Sequence, residues 1–546
     1  MSASTAVFEA QKILTMDPHR PIATHVAVRE GRILGVGALD EVEGWGAYDL
    51  DRSFADKILM PGLVEGHSHV TEGAVWKHTY VGFYDRRGPD GTLWRGLGSI
   101  EEVLVRLREA ERRLGSPDQP LVGWGFDPIF LERPMVADDL DSVSTTRPVL
   151  VIHASFHLLN VNTVLMERAG ITASTEVQGI LKDEHGKPTG QFQSMAANDL
   201  IYKALGAELL NRGSAAEELR LFGRSAVRAG VTTVTDMFND LPEAVVENYR
   251  AVTADPGFPV RLVPAFNGVS ANRDGAAYLH ALTRHNTGKL RFGLAKLVLD
   301  GSIQGFTARL KWPGYYNGKP NGVWNIAPGE LKQALLAYHK AGFQVHIHVN
   351  GDEASEFALD AIEAVLAEAP RFDHRHTLQH CQMADAAQFR RMAALGVCVN
   401  LFCNHIFYWG DAHYAETMGP DRAERMDAVA TAVRCGVPVA MHSDAPITPL
   451  APLFTAWCAV NRRTASGRLL GSNERIPVET ALQAITLGAA HTLKMDREIG
   501  SIEVGKFADF AVLEDDPTEV PPEALRDVRV WGTVLGGQVF PAPRTQ

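Results

Sequence analysis

The middle of the chain alternates strand and helix signals, and this alternation leaves few folds open. An amphipathic helical pattern at 215–229 runs into Gly230-Val-Thr-Thr-Val-Thr-Asp236, a β-branched run ending in a carboxylate. Further strand signals follow at 260–266, 294–300, 343–349, 377–380, 397–402 and 437–444. Helical patterns at 328–341, 353–367 and 385–394 separate several of them. Repeated strand–helix alternation implies parallel strands. With roughly eight of them, a (β/α)8 barrel is the natural closure.

Both ends of the chain read differently. Residues 5–60 carry short strands and turns, including the hairpin-like Glu30-Gly-Arg turn before Ile33-Leu-Gly-Val. The segments 500–513 and 528–540 are again strands punctuated by glycine. Residues 1–60 and 490–546 are therefore expected to pair into one small β-sandwich, with 61–489 as the barrel; two unrelated terminal appendages are the alternative. A stretch from about 75 to 211 is too long for a barrel loop and is expected to be an insertion over the barrel mouth.

In such barrels the site forms at the C-terminal ends of the strands. The stretch Leu59-Met-Pro-Gly-Leu-Val-Glu-Gly-His67-Ser-His69 ends an apolar strand signal with two imidazoles at i and i+2. On a strand these share a face, which is how two nitrogen ligands reach one zinc-sized cation. Alone, a His-x-His is more often a pair of solvated loop histidines. Lys296, His348, His380 and Asp444 fall at the ends of further strand signals. Metal-competent groups at five strand ends form a much stronger pattern than any one of them.

These motifs resemble the amidohydrolase superfamily, and within it the amidohydrolase-3 (YtcJ-like) group. The resemblance runs over nearly the whole chain. Glu30-Gly-Arg-Ile-Leu-Gly-Val-Gly37 resembles the N-terminal β segment, and Pro61-Gly-Leu-Val-Glu-Gly-His67-Ser-His69 the first metal-binding strand. Lys296-Leu-Val-Leu-Asp300-Gly-Ser, His348-Val-Asn-Gly-Asp352, Gln379-His380-Cys-Gln and His442-Ser-Asp444-Ala-Pro-Ile447 resemble the fourth, fifth, sixth and eighth. Gly500-Ser-Ile-Glu-Val-Gly-Lys-Phe-Ala-Asp509 matches the superfamily's ending.

The resemblance implies a TIM barrel with a β-sandwich built from both ends, and one or two divalent ions, usually zinc. His67 and His69 would hold the more buried ion, His348 and His380 the second, and Asp444 would touch the metal and the attacking water. Lys296 would bridge the metals as a CO2-derived carbamate, an anion with two oxygens. The alternative for Lys296 is an ordinary ion pair with Asp300 and a single metal. His405 is a candidate for steadying a developing oxyanion, with a solvated loop histidine as its alternative. His346 and His442 share the parity of their neighbours but are read as supporting or packing residues. The chain shows Gln379 where the group tends to have glutamate, Gln193-Ser194 after Pro188-Thr-Gly, and Phe402-Cys403 in place of Gln-Pro. These departures lie where substrate is expected, so no substrate carries over.

The implied reaction is hydrolysis of a C–N bond in a small, uncharged or weakly charged amide, including N-formyl and N-acyl compounds. A deaminase, a lactonase or a silent ligand-binding barrel are the rivals. Aromatic residues in the loops suggest a hydrophobic or aromatic substrate, with Trp124, Phe306, Trp312 and Tyr315 as candidate contacts. A net charge of -12 argues against nucleic acid. No run approaches the ~18 apolar residues of a membrane span. Five cysteines without Cys-x-x-Cys spacing, and a start without a basic n-region and apolar run, suggest a reducing, cytoplasmic setting. A homodimer is expected.

Overall fold

The computed structural model describes residues 4–206, 214–269 and 274–543. Its centre is an eight-stranded, all-parallel sheet: β1 (Leu63–Val64), β2 (Val231–Asn239), β3 (Arg261–Asn267), β4 (Leu294–Val298), β5 (Gln344–Val349), β6 (Thr377–His380), β7 (Cys398–Leu401) and β8 (Val439–Met441). Neighbours in the sheet are neighbours in this order. The helices between them include α1 (Ala216–Arg228), α2 (Glu243–Ala254), α3 (Gly275–Leu282), α4 (Pro328–Lys340), α5 (Asp352–Glu368), α6 (Ala386–Leu395) and α7 (Asn404–Ala412). This is the crossover architecture that parallel strands require.

The sheet curls until its edges meet, giving a TIM-like barrel. Among the described residues the meeting is made by side chains and loops rather than a ladder. The buried Glu65 carboxyl accepts from the Ser443 backbone N–H at 2.9 Å and its hydroxyl at 2.8 Å, and His69 N–H donates to Ala445 O at 2.8 Å. Burial, with Asp444 nearby, pushes the Glu65 carboxyl up to about 8. Gly62, just before β1, is required by close approach: a Cβ there would lie 2.0 Å from Thr232 Oγ1.

The terminal segments share one seven-stranded sheet. Its central strand, Tyr48–Pro61, pairs in parallel with Thr5–Leu14 on one side and antiparallel with Phe510–Leu513 on the other. That strand continues through Gly62 into β1. Between β1 and α1 lies a six-stranded sheet with Leu121–Phe126 and Val149–His153 near its middle. Its alternation is that of a sheet covered on both faces: Leu150 and Ile152 join one apolar cluster, Val149 and Val151 another. Hydrogen bonds tie this inserted region to the barrel loops. Arg86 donates to Pro446 O at 2.6 Å and Tyr84 Oη to Tyr408 O at 2.7 Å, while Trp409 Nε1 donates to Asp127 at 2.8 Å. Among the described residues no helix is long and apolar enough to cross a membrane, and the five cysteines are free thiols, four of them buried.

Candidate metal centre

Three of the parallel strands deliver nitrogen or carboxylate groups to one place. His67 and His69 follow β1, His380 ends β6, and His442 and Asp444 follow β8. His67 Nε2 and His69 Nε2 lie 3.4 and 3.3 Å from the same oxygen, Asp444 Oδ1, and His380 Nδ1 lies 3.6 Å from Asp444 Oδ2. The His442 ring stacks on His67, with centroids 4.7 Å apart, and on Phe402 at 4.9 Å. One donor atom from each of His67, His69 and Asp444 falls within a 4.8 Å cluster, and so does one from each of His67, His380 and His442.

The donor set fits a cation. Both nitrogens of His380, both of His442 and Asp444 Oδ1 are buried with no hydrogen-bond partner. Buried polar atoms are rarely left so. Burial first, and then neighbouring charges, holds His67, His380 and His442 well below the ordinary histidine range. The rings are thus neutral, the form that ligates metal. His380 and Asp444 also sit at φ of 68° and 54°. Non-glycine residues seldom adopt this left-handed backbone, and it clusters at functional sites.

Lys296 on β4 is buried, and its Nζ lies 3.5 Å from His67 Nδ1. Burial pushes its ammonium down to about 7. The ion pair with Asp300 is not among the described contacts; the Asp300 carboxylate instead accepts backbone N–H groups of Arg309, Asn350 and Gly351 at 2.9–3.0 Å. His348 on β5 stands edge-on to His380 with centroids 4.5 Å apart, and its Nε2 faces Gly301 O at 3.2 Å.

Two further imidazoles stand in or beside the cluster: His442, read from the sequence as supporting or packing, and His157, which the motif pattern does not include. His442 belongs to the cluster itself; its i–2 spacing from Asp444 mirrors His67 and His69 and was the available signal. His157 comes from the inserted region and sets its ring 5.4 Å from His348; nothing in local spacing announces it, because the inserted sheet brings it there. His405, in the first turn of α7, is buried rather than solvated. Its Nδ1 lies 3.6 Å from Asp427 Oδ1, and both Asp427 oxygens are buried without a hydrogen-bond partner.

The aromatic candidates scatter. Trp124 is fully buried in the inserted sheet, 5.1 Å from Trp76 and 4.9 Å from Tyr80 between ring centroids. Trp312 is 94% exposed. Tyr315 is buried, its hydroxyl on Ala308 O at 3.0 Å, and Phe306 packs on its ring at 5.2 Å. Trp124 therefore belongs to a hydrophobic core, and Trp312 to the solvent-facing surface.

A barrel of parallel strands with imidazoles and a carboxylate at its C-terminal rim has close relatives in fold. A metal-dependent hydrolase from Pyrococcus horikoshii, described as uncharacterized, superposes with a TM-score of 0.72 at 21% identity, over 95% of this chain and 99% of that one. The chain belongs to the amidohydrolase family, whose model matches residues 55–541. It is 27% identical to the putative amidohydrolase YtcJ of Bacillus subtilis over 98% of this chain and 99% of that protein. It is 28% identical to the N-substituted formamide deformylase of Arthrobacter pascens over 96% of both chains.

Proposed function

We propose that this chain is a metal-dependent hydrolase that opens the C–N bond of a small amide, N-formyl or N-acyl compound. The observation that carries the reading is the cluster of His67, His69, His380, His442 and Asp444, with buried donor atoms left without protein partners. Family membership and the similarity to a formamide deformylase support the bond type.

Because His67 has Nδ1 on Gln379 Oε1 at 2.8 Å, only its Nε2 is free. The two donor clusters that share His67 therefore describe one cation position, for which zinc suits the imidazole-rich set. A second position would draw on His348, His380 and a carboxylated Lys296. The buried lysine supports that chemistry: a neutral amine attacks CO2 and sheds a proton to give a carbamate. When bound, a divalent ion supplies Lewis acidity, acidifying water and polarising a carbonyl oxygen. Asp444 accepts the proton of the attacking water and passes it to the leaving nitrogen, base and then acid. His405 is the residue we assign to steady the oxyanion. The substrate is small, and an apolar or aromatic N-substituent is the class to try first.

The test is metal analysis of the purified protein, with product analysis over N-formyl, N-acyl and cyclic amides. Bound metal and release of an amine with its acid is the expected result. Metal without turnover of any amide would favour a silent ligand-binding barrel; ammonia from an amidine-type ring would favour a deaminase.

A further inference from the structure

We infer that Gln379 and His346, neither of which belongs to the donor cluster, hold His67 in its Nδ1-protonated tautomer and so turn the Nε2 lone pair toward the metal. The inference rests on the metal reading above and adds how this chain prepares its first ligand.

The argument starts at a group with no choice. Thr492 is the last residue of the helix Leu487–Thr492, so its carbonyl has no partner within the helix. A carbonyl can only accept. His346 Nε2 lies 2.9 Å from it and must carry a hydrogen. In a neutral ring the other nitrogen, Nδ1, is then an acceptor. It lies 2.6 Å from Gln379 Nε2, which donates to it. The Gln379 amide is thereby oriented, with Oε1 on the opposite side. Oε1 accepts from Asn400 Nδ2 at 3.0 Å and faces His67 Nδ1 at 2.8 Å. An amide oxygen demands a donor there, so His67 carries its hydrogen on Nδ1. The remaining nitrogen, Nε2, is the one 3.4 Å from Asp444 Oδ1.

One rival donor competes for His67 Nδ1. Lys296 Nζ lies 3.5 Å away, longer than an ordinary N–H···N bond, against 2.8 Å for the amide oxygen. Geometry favours the amide. The relay also gives residue 379 a chemical requirement. It must accept from His67 and donate to His346 at once, which an amide does and an ionised carboxylate does not. Polar groups behind a metal-bound histidine typically shift metal affinity about 10–100-fold.

The experiment reads metal binding and tautomer, not turnover. Zinc affinity is measured on metal-free protein by competition with a chromophoric chelator, for wild type, His346→Leu, Gln379→Leu and His346→Gln. Circular dichroism checks folding. The two leucine variants are expected to bind zinc about 10–100-fold more weakly. His346→Gln, which can accept from Gln379 and donate to Thr492, is expected to stay near wild type. Wild-type affinity in the folded leucine variants, or an equal loss in His346→Gln, overturns the inference. Long-range 15N–1H spectra of histidine-labelled, metal-free wild type provide the second measurement, with His67 assigned by His67→Asn. An Nδ1–H ring supports the inference and an Nε2–H ring overturns it. That readout needs no zinc, so protein that binds none removes the metal reading alone and leaves the tautomer answered.

Discussion

At the scale of single residues, the chain tolerates buried groups that folding alone would not choose. Asp444 Oδ1 and both oxygens of Asp427 are enclosed without hydrogen bonds, at a cost of about 1–3 kcal/mol for each such group. Asp444→Asn is expected to lower hydrolysis by about 10²–10⁴-fold, while the melting temperature of the metal-free protein stays level or rises. Calorimetry beside kinetics would show whether the two separate. Asp427 gives a prediction with a sign in pH. Burial raises its carboxyl well above the ordinary range, so the native chain keeps a proton that the unfolded chain releases. Its contribution is undiminished below about pH 4 and is lost as pH rises. Asp427→Asn is therefore expected to gain more stability at pH 8 than at pH 5, measured by urea unfolding at both. His67, His69, His380 and Asp444 stand out in the sequence as candidates because strand-end position and parity are local properties, whereas His442, which joins their cluster, reads there as supporting or packing. The Asp427–His405 contact was not legible there: His405 lies in the first turn of α7 and Asp427 on a separate loop, and only tertiary packing brings them together.

At the scale of elements, the barrel strands were legible because each is a short apolar run bounded by turns. β1 is the exception, with only two residues in the ladder, since Gly62 and Glu65 replace ladder contacts by close approach and a side-chain clasp. The opposite end of the barrel from the metal cluster holds a second group of histidines that motif reading passed over. His339 Nδ1 lies 2.8 Å from His376 Nε2, His339 Nε2 donates to Ala369 O at 2.7 Å, and His374 Nε2 donates to Leu395 O at 2.8 Å. His376 Nδ1 accepts from Val345 N–H, and His374 Nδ1 from His376 N–H. Every nitrogen is engaged, so this group is structural and works only with neutral rings. Burial lowers all three below the ordinary histidine range. For a base held neutral, stability is full above the unfolded value of about 6.5 and is lost as pH falls below it. The urea midpoint is expected to drop from about pH 7.5 to about pH 5, and to drop less in His374→Gln, where one titrating ring is gone.

At the scale of the whole molecule, the inserted sheet joins the barrel at the end that carries the histidine cluster, while the seven-stranded sheet joins it at the other end, through Gly62 and Arg261. Parallel alternation announced the barrel, and strand signals at both termini announced that they would pair; their joining as one seven-stranded sheet is a matter of register that composition does not encode. The place of the inserted sheet was legible only as excess length. Its contribution of His157 beside His348, and of Arg86 to the carbonyl of Pro446, depends on contacts between residues far apart in sequence. Glu65 clasps the barrel's first and last strands, so Glu65→Ala is expected to cost about 1–3 kcal/mol by leaving Ser443 N–H unpaired. Glu65→Gln, which keeps an acceptor, should cost less; denaturant titration of the metal-free proteins compares them. The strand Tyr48–Pro61, which delivers His67 and His69, is edged on one side by Phe510–Leu513. A ribosome making this chain must therefore emit nearly all of it before that strand gains its second neighbour, and a nascent or clipped product lacking the last few dozen residues would carry every candidate ligand yet hold the first pair on a frayed edge.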